Sequence, residues 1–391
     1  TNKIFSMHNR TEQFLNDPVF PLLIRMSAPN TIAFFIQAIV VLAEVWFISK
    51  LGTTSLAAVA LAFPVIMLTQ QMAFGALGGA VTSSIARSLG AEDKERAEKL
   101  LWHSLLLSCC GYLLFFLIFF IGGENLLMAL GGEGSLLEES LLYIKIFLTG
   151  AIFIWLSGML SAALRGIGNM RFPALLMIAG SGIQVILAGG LILGWFGLPK
   201  LGIIGAPLSA ISVAALMAIV MILKFMHSSS NVQLKLSNLS FKKELFRDIF
   251  NVALPASLAP IFTVGTILIL TGLVGQFGVS ALAGYGIGSR IEFLMIPLVF
   301  GIGTAMTTMV GTNIGAKKVE RAERIGWLGG SFAGLFSGMI GLMLILSSSY
   351  WINFFATDQA TYEVTKQYIE IVGLCFTFQG LGLSLYFASQ G

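Results

Sequence analysis

The chain has 391 residues, of which 56% are hydrophobic and 11% are charged, and its mean hydropathy is +0.88. A soluble domain carries about 25% charged residues and lacks repeated apolar runs of about 20 residues, so the composition excludes an ordinary soluble enzyme. In a chain of this kind the net charge of +4 does not indicate nucleic-acid binding. We therefore interpret the chain as an all-α polytopic membrane protein.

Apolar stretches separated by charged residues predict ten membrane-spanning helices. Several stretches are longer than the ~20 residues that cross a bilayer, which predicts tilted helices or helices that extend beyond the membrane. The three cysteines lie inside these stretches without the spacing of a metal site or of a disulfide framework. The predicted spans are 22–49, 56–85, 101–121, 139–164, 173–195, 203–225, 249–275, 281–310, 326–347 and 362–389.

Lys and Arg residues are distributed unequally between the two ends of these spans. If the N-terminus is cytoplasmic, 18 of the 23 lie on the cytoplasmic side, and only Arg290 lies within a span. Positively charged flanks of membrane helices stay inside, so a cytoplasmic N-terminus is predicted. The four basic residues on the opposite side are Lys50, Lys145, Lys200 and Lys366.

The sequence contains an internal repeat. The stretch GAEDKERAEKLLW at 90–102 returns as GAKKVERAERIGW at 315–327, an offset of 225 residues. Upstream the matching pairs, such as Pro29 with Pro255, are offset by 226, so one residue of slippage separates them from the charged stretches. Both charged stretches follow the second helix of a copy, and we call them the elbows. Because six helices precede the second copy, the two copies have the same orientation, as in transporters built from parallel repeats.

The repeat divides the chain into predicted lobes. An N-terminal six-helix lobe covers 1–226, a cytoplasmic linker covers 227–248, and a C-terminal lobe with helices 7–10 covers 249–391. The second copy stops at Gly391, the counterpart of Gly166, so it is two helices short of the first. We expect either that helices 11 and 12 belong to a longer chain or that the protein lacks them.

Three ionisable residues fall at membrane depth, where a charge is costly and usually functional. They are Glu44 in helix 1 and Arg290 and Glu292 in helix 8, and neither acid has an acidic counterpart in the repeat. Asn30, Gln37 and Glu44 are spaced by seven residues and share one helical face, which is expected to line a wet cavity. The alternatives are a carboxylate at the outer interface for Glu44 and a structural ion pair for Glu292.

The sequence contains none of the common catalytic motifs. It lacks the phosphate-binding GxxxxGK[ST], the zinc-binding HExxH and the nucleophile motif GxSxG. We therefore expect no enzymatic activity, no cofactor and no metal site, and transport that is either passive or driven by an ion gradient.

The chain resembles the MATE family of multidrug and toxic compound extrusion transporters, within the multidrug/oligosaccharidyl-lipid/polysaccharide exporter superfamily. The resemblance covers the whole chain. It is carried by VLAEVWFISKLGTTSLAAVALAFP in helices 1 and 2, by ARSLGAEDKERAE at the first elbow, and by ALAGYGIGSRIEFLMIPLVFGIGTAMTTMVGTNIGAKKVERAE in the second half. It implies twelve helices in two lobes around a central cleft, in a multi-pass protein of the bacterial inner membrane.

The resemblance also implies a function and a site. The function is export of small organic, often cationic, compounds in exchange for H⁺ or Na⁺, by a monomer without nucleic-acid partners. Glu44 stands where the family usually has an Asp. In helix 5, where the family often has an Asn and an Asp four residues apart, this chain has Gln184 and Ala188. The ion-coupling candidates are Glu44 and Glu292, and the substrate-binding candidates are Gln37, Asn30, Arg290 and Gln184.

Two further readings remain open. A flippase of lipid-linked intermediates from the same superfamily would need several basic residues for anionic headgroups, and only Arg290 lies within the membrane. An intramembrane enzyme would need catalytic motifs that are missing. For an exporter, a carboxylate in a partly dry cavity provides a mechanism, because a proton and a cationic substrate compete for it.

Overall fold

The computed structural model describes residues 11–227, 232–292, 295–353 and 359–391. Within these residues, ten helices are long and apolar enough to cross a membrane, which confirms the ten predicted spans. We number them α1 (Val19–Ser49), α2 (Thr53–Gly90), α3 (Lys94–Ala129), α4 (Gly134–Gly166), α5 (Arg171–Leu193), α6 (Gly205–Met226), α7 (Lys243–Gly275), α8 (described as Val279–Glu292 and Met295–Gly315), α9 (Val319–Leu346) and α10 (Gln359–Gln390).

Paired hydrogen bonds show that the internal repeat is structural. The hydroxyl of Thr82 donates to the carbonyl of Ala162 at 2.9 Å, and the hydroxyl of Thr307 donates to the carbonyl of Phe387 at 2.8 Å. Both members of the second bond lie 225 residues after those of the first. Another matched pair joins Ser140 to the carbonyl of Ala58 and Thr365 to the carbonyl of Gly284. Helices 2 and 4 therefore pack as helices 8 and 10 do.

A π-helical turn explains the one-residue slip in the repeat. In α2, an α-helix over Thr53–Gln70 is followed by a π-helix over Gln71–Leu77 and then by an α-helix over Gly78–Gly90. A π-turn has i→i+5 hydrogen bonds and so accommodates an extra residue. The corresponding segment of α8, Met295–Gly315, is α-helical throughout. The extra residue of the first copy is thus absorbed in α2, at the part of the helix that packs against α7.

The two elbows share an unusual backbone conformation. Glu92 has φ of 62° and its repeat counterpart Lys317 has φ of 61°, both in the left-handed region that non-glycine residues seldom adopt. The side chain of Asp93 accepts a hydrogen bond at 2.9 Å from the backbone N–H of Arg96 and so caps the start of α3. These residues turn the chain sharply between the second and third helices of each copy.

The lobes meet where α2 crosses α8, next to the elbows. Gly90 lies against the backbone of Thr312, and Gly315 lies against the backbone of Arg87. A Cβ atom at either glycine would overlap the carbonyl group of its partner. Since Thr312 is the repeat counterpart of Arg87, the crossing is pseudosymmetric about a two-fold axis. Only residues without a side chain allow the two helices to approach this closely.

Further contacts join the lobes on the elbow side. The Asp248 carboxylate at the start of α7 accepts hydrogen bonds from Arg87 at 2.9 Å and from Arg96 at 3.0 Å. The hydroxyl of Thr308 in α8 donates to the carbonyl of Arg165 in α4 at 3.1 Å. By contrast, Val279–Glu292 of α8 packs mainly on α7 and α10 of its own lobe. The lobes are therefore closed at the elbows, and the cleft between them widens toward the opposite side.

The segment before α7 is attached to α3. The carboxylate of Glu98, which is only 3% exposed, accepts a 2.6 Å hydrogen bond from the Asn238 side chain. The indole N–H of Trp102 donates to the carbonyl of Lys235 at 3.0 Å, and the imidazole Nε2 of His103 accepts from the backbone N–H of Lys242 at 3.0 Å. α7 begins at Lys243, inside the range predicted as linker.

Candidate functional site

Glu44 lies in the half of α1 farther from the elbows, and its carboxylate faces the interior of the N-terminal lobe. The Gln184 side-chain amide of α5 donates to its Oε1 at 2.9 Å. The hydroxyl of Ser209 in α6 also interacts with the carboxylate. Among the described residues no Lys or Arg lies within ion-pair distance of Glu44. The group is therefore a carboxyl surrounded by neutral hydrogen-bond donors.

The nearest cation along the chain is held elsewhere. The ammonium of Lys50 lies 4.9 Å from the centre of the Trp46 ring, at the end of α1. Trp46, Phe47 and Trp195 form a cluster of aromatic rings with centroid separations of 5.4 to 6.4 Å. This cluster lies between Glu44 and the membrane surface, so it separates the carboxylate from the ammonium of Lys50.

The predicted polar stripe of α1 faces α5. Ser181, one helical turn before Gln184, donates its hydroxyl to the Gln37 side-chain carbonyl at 3.0 Å. Seven residues are about two helical turns, so Gln37 and Glu44 present their side chains to the same neighbour. Small residues on α5, including Gly180 and Ala188, are buried and allow α1 to approach. The stripe thus faces protein rather than lipid.

Asn30 occupies a different position. Its side chain is 2% exposed and donates at 3.2 Å to the hydroxyl of Thr304 in α8. The same amide lies 3.4 Å from the sulfur of Met170. The structure therefore places Asn30 in the contact between the lobes near the elbows, about two helical turns from Gln37.

Glu292 lies in a second polar cluster, inside the C-terminal lobe. Its carboxylate accepts a hydrogen bond from the Tyr368 hydroxyl at 2.6 Å and another from the Gln379 side-chain amide at 2.6 Å. Arg290 is exposed and forms no ion pair with Glu292 in the described part of the chain. The alternative of a structural ion pair for Glu292 is therefore replaced by neutral donors from α10.

Each lobe pairs its acid with a tyrosine at the same repeat position. Tyr368 bonds Glu292, and its counterpart Tyr143 in α4 lies within electrostatic range of Glu44. The repeat analysis matched these tyrosines, but their relation to the acids requires the three-dimensional structure, because the acids themselves have no counterparts. Ser209 and Ser181 had no distinguishing signal in the sequence.

The described residues contain no group of three or more His, Cys, Asp or Glu side chains arranged to hold a metal ion. The two acids belong to separate lobes and each has neutral partners. Chemically, each site offers one carboxyl group that can exchange a proton for a cation.

The relatives of the chain are transporters. A family model described as MatE matches residues 29–188 and 255–391, one stretch in each repeat. An FAD transporter of Shewanella oneidensis is 26% identical, over 96% of this chain and 82% of its own length. A probable multidrug resistance protein NorM of Thermotoga maritima is 24% identical, over 94% of this chain and 79% of its own.

The fold agrees with a solved transporter structure. A multidrug resistance MATE family transporter of the MOP superfamily, in an outward-facing conformation, superposes with a TM-score of 0.86 at 25% identity, covering 96% of this chain and 84% of that one. The flippase alternative is not favoured by these relatives, which are named as drug or FAD transporters. The resemblance inferred from the sequence motifs is confirmed. The chain belongs to the MatE family of ion-coupled multidrug transporters.

Proposed function

We propose that this protein exports small organic cations in exchange for protons, and that the two compete for the carboxylate of Glu44. It works as a monomer in the bacterial inner membrane, with its N-terminus and both elbows in the cytoplasm and without a cofactor. Gln37 and Gln184 complete the N-terminal site. The observation that carries the proposal is the Glu44 carboxylate, hydrogen-bonded by Gln184 at 2.9 Å and without a cation partner among the described residues.

The surroundings of Glu44 suit an exchange reaction. A carboxylate with a permanent Arg or Lys partner would have its charge balanced and would have little reason to release a proton when a cation arrives. Glu44 has neutral donors only, so a proton or an organic cation supplies the missing positive charge. Loading one therefore weakens binding of the other, which is the thermodynamic requirement for antiport.

The same surroundings favour H⁺ over Na⁺ as the coupling ion. A bound metal cation needs several oxygen ligands in convergent positions, and in transporters these often come from unwound helix backbone. α1 is a continuous helix through Glu44, and the side-chain amide of Gln184 presents an N–H to the carboxylate rather than an oxygen. A single carboxyl group with neutral donors needs only a proton to become uncharged.

The direction of transport follows from the two-lobe architecture. The lobes are joined at the elbows by the Gly90 and Gly315 crossing and by Asp248, so the described state opens on the side opposite the elbows. In this state the substrate leaves and a proton enters from outside. Rocking of the lobes about the cleft then opens the elbow side, where the proton is released and the next substrate binds.

The negative charge of the site favours cationic cargo. Glu44 and Glu292 are the acids of the membrane-embedded region, and Arg290 is exposed. The cargo named for the Shewanella oneidensis relative, FAD, is an anion, so the charge of the site distinguishes the two possibilities. We place Glu292, held by Tyr368 and Gln379, as the second candidate for coupling.

Efflux from reconstituted vesicles tests the proposal. Vesicles loaded with a fluorescent organic cation are subjected to a pH gradient, to a Na⁺ gradient, or to neither. We expect efflux with the pH gradient alone, and its loss in Glu44→Gln with normal expression and folding. Efflux driven by Na⁺ alone, export of FAD but not of the cation, or full activity of Glu44→Gln beside an inactive but folded Glu292→Gln would contradict the assignment.

Chemical labelling tests the topology. After replacement of the three native cysteines, single cysteines are placed at Lys94 and Val319, which are exposed and follow the two elbows. An impermeant reagent should label neither position in intact cells and both in inverted vesicles. Labelling of either position in intact cells would reverse the proposed orientation.

A further inference from the structure

A crevice separate from the Glu44 site opens between α3 and α4. Its volume is about 360 Å³, and Val65 of α2 lies among its lining residues. Its apolar wall on α3 is built from Phe116, Phe119 and Phe120, and the rings of Phe116 and Phe120 stack with centroids 5.8 Å apart. Taking the ~30 Å³ of a water in the liquid as roughly the size of a methylene group, it holds on the order of ten methylenes.

Two opposite charges line the same crevice without bonding to each other. Glu124 of α3 and Lys145 of α4 both line it and both are exposed. In the described part of the chain neither forms an ion pair or a side-chain hydrogen bond. Each charge therefore faces the crevice opening and is available to a ligand.

The register of α3 and α4 places these charges at different depths. The hydroxyl of Tyr112 donates to the carbonyl of Thr149 at 3.3 Å, so in this antiparallel pair Lys145 lies level with Phe116. Glu124 follows Phe116 by eight residues, or about 12 Å along the helix. The predicted apolar span of α3 ends at 121, so the backbone of Lys145 lies within the apolar layer and Glu124 lies at its surface. A lysine at such depth is stabilised when its ammonium reaches a phosphate at the membrane surface.

The surrounding surface faces lipid. Leu117, Phe120 and Ile121 on α3 are between 46% and 79% exposed, and Leu142 on α4 is 45% exposed. An apolar crevice that opens onto such a surface admits an acyl chain directly from the bilayer. The order of groups toward the membrane surface is then aromatic wall, ammonium and carboxylate.

We propose that this crevice binds one membrane phospholipid with a phosphoethanolamine headgroup, in the leaflet away from the elbows. One acyl chain lies along the phenylalanine wall, the phosphate pairs with the Lys145 ammonium, and the headgroup ammonium pairs with the Glu124 carboxylate. A headgroup without a positive charge would leave Glu124 unpaired beside the phosphate. The two side chains thus select a zwitterionic lipid over an anionic one.

Two adjacent glycines provide a matched test of the acyl-chain site. Gly123 lines the crevice, and a Cβ there meets only Phe119, at 3.8 Å. Gly122 does not line it, and a Cβ there meets nothing within 4 Å. Neither has a positive φ, so leucine is compatible with the helix at both positions. Gly123→Leu fills the crevice, whereas Gly122→Leu only adds apolar surface.

Native mass spectrometry of the delipidated full chain, titrated with phosphatidylethanolamine or phosphatidylglycerol of the same acyl chains, measures binding. Loss of even two methylene contacts is worth about tenfold in affinity, so Gly123→Leu should bind the first phosphatidylethanolamine at least about tenfold more weakly than Gly122→Leu. Equal binding by the two variants would overturn the proposal. So would unchanged lipid binding by Gly123→Leu together with reduced binding of a fluorescent cation, which would assign the crevice to transported substrate.

Charge variants test the headgroup assignment. Lys145→Gln should weaken both lipids about three- to fivefold, while Lys200→Gln, a basic residue on the same side but outside the crevice, should weaken neither. Glu124→Gln should remove the preference for phosphatidylethanolamine and leave phosphatidylglycerol unchanged or tighter. A wild-type protein that binds the two lipids equally would refute the phosphoethanolamine assignment.

Discussion

Substitution of Gly90 by alanine tests how the lobes close at the elbows. A Cβ at Gly90 would lie 2.9 Å from the carbonyl carbon of Thr312, and one at Gly315 would lie 2.8 Å from that of Arg87, whereas ordinary contacts begin near 3.4 Å. The two helices must therefore separate by at least about half an ångström. Overpacking of this kind costs about 1–3 kcal/mol, and it applies only to the state in which α2 and α8 touch.

The expected result is a shift in the balance between the two states of the transporter. At about 2 kcal/mol, the ratio of elbow-closed to elbow-open molecules falls roughly thirtyfold. The double variant Gly90→Ala with Gly315→Ala should shift it by less than twice as much, because one separation of the helices relieves both overlaps.

Distances between spin labels at Lys94 and Val319 measure this balance. These exposed repeat counterparts are preferable to Glu92 and Lys317, whose positive φ a cysteine would tolerate poorly. The distance distribution should lengthen in Gly90→Ala and remain as in the wild type in Gly272→Ala, where a Cβ meets nothing within 4 Å. A Gly90→Ala distribution identical to that of Gly272→Ala would refute the close-packed crossing as the element that holds the lobes together.

Three further predictions concern the architecture. Asp248→Asn weakens the ion pairs with Arg87 and Arg96, which are partly exposed, so the same label distances should lengthen through a loss of about 1 kcal/mol in the elbow-closed state; unchanged distances would show that these pairs add nothing. Glu98→Ala removes the buried acceptor that holds the linker on α3, and we expect faster proteolysis within 232–242 at unchanged thermal stability of the helices; equal cleavage rates would contradict the attachment. Deletion of Gly75 should convert the π-turn of α2 to regular α-helix with the protein still folded, and failure to insert into the membrane would show that the extra residue is required.

The sequence allowed the main features of the fold to be predicted because a membrane chain is organised by long apolar segments and by repeat symmetry. The offset of 225 residues between the elbows reappears as matched hydrogen bonds at Thr82 and Thr307. The slip to 226 upstream marked an extra residue, but only the structure locates it in the π-turn of Gln71–Leu77. Repeat register reveals that a residue is inserted, whereas local hydrogen bonding decides where the helix absorbs it.

The candidate site was only partly predictable. Helical spacing placed Gln37 and Glu44 on one face of α1, but it carries no information on which helix that face contacts. Asn30 shares the spacing and yet binds Thr304 in the other lobe, because α1 crosses from one neighbour to another along its length. Ser209 belongs to a different helix with an unremarkable local pattern, so its position near Glu44 depends on tertiary packing alone. The roles of these residues remain proposals.

The sign of the pH effect follows from the proposed competition. Protonation removes the negative charge of Glu44, so binding of an organic cation should weaken as the pH falls. In Glu44→Gln the side chain is neutral at every pH, so cation binding should be weak and independent of pH. Glu44→Asp keeps the carboxyl group on a shorter arm and should retain part of the pH dependence.

The most direct test of the central claim is the number of protons released when the cation binds. The purified protein in weakly buffered detergent solution, at a pH where the cation binds weakly, is mixed with substrate while a pH indicator records release. We predict about one proton per bound cation for the wild type and for Glu292→Gln, and none for Glu44→Gln measured at a cation concentration that saturates the variant. Release of one proton by Glu44→Gln, or cation binding to the wild type without release, would contradict proton exchange at Glu44.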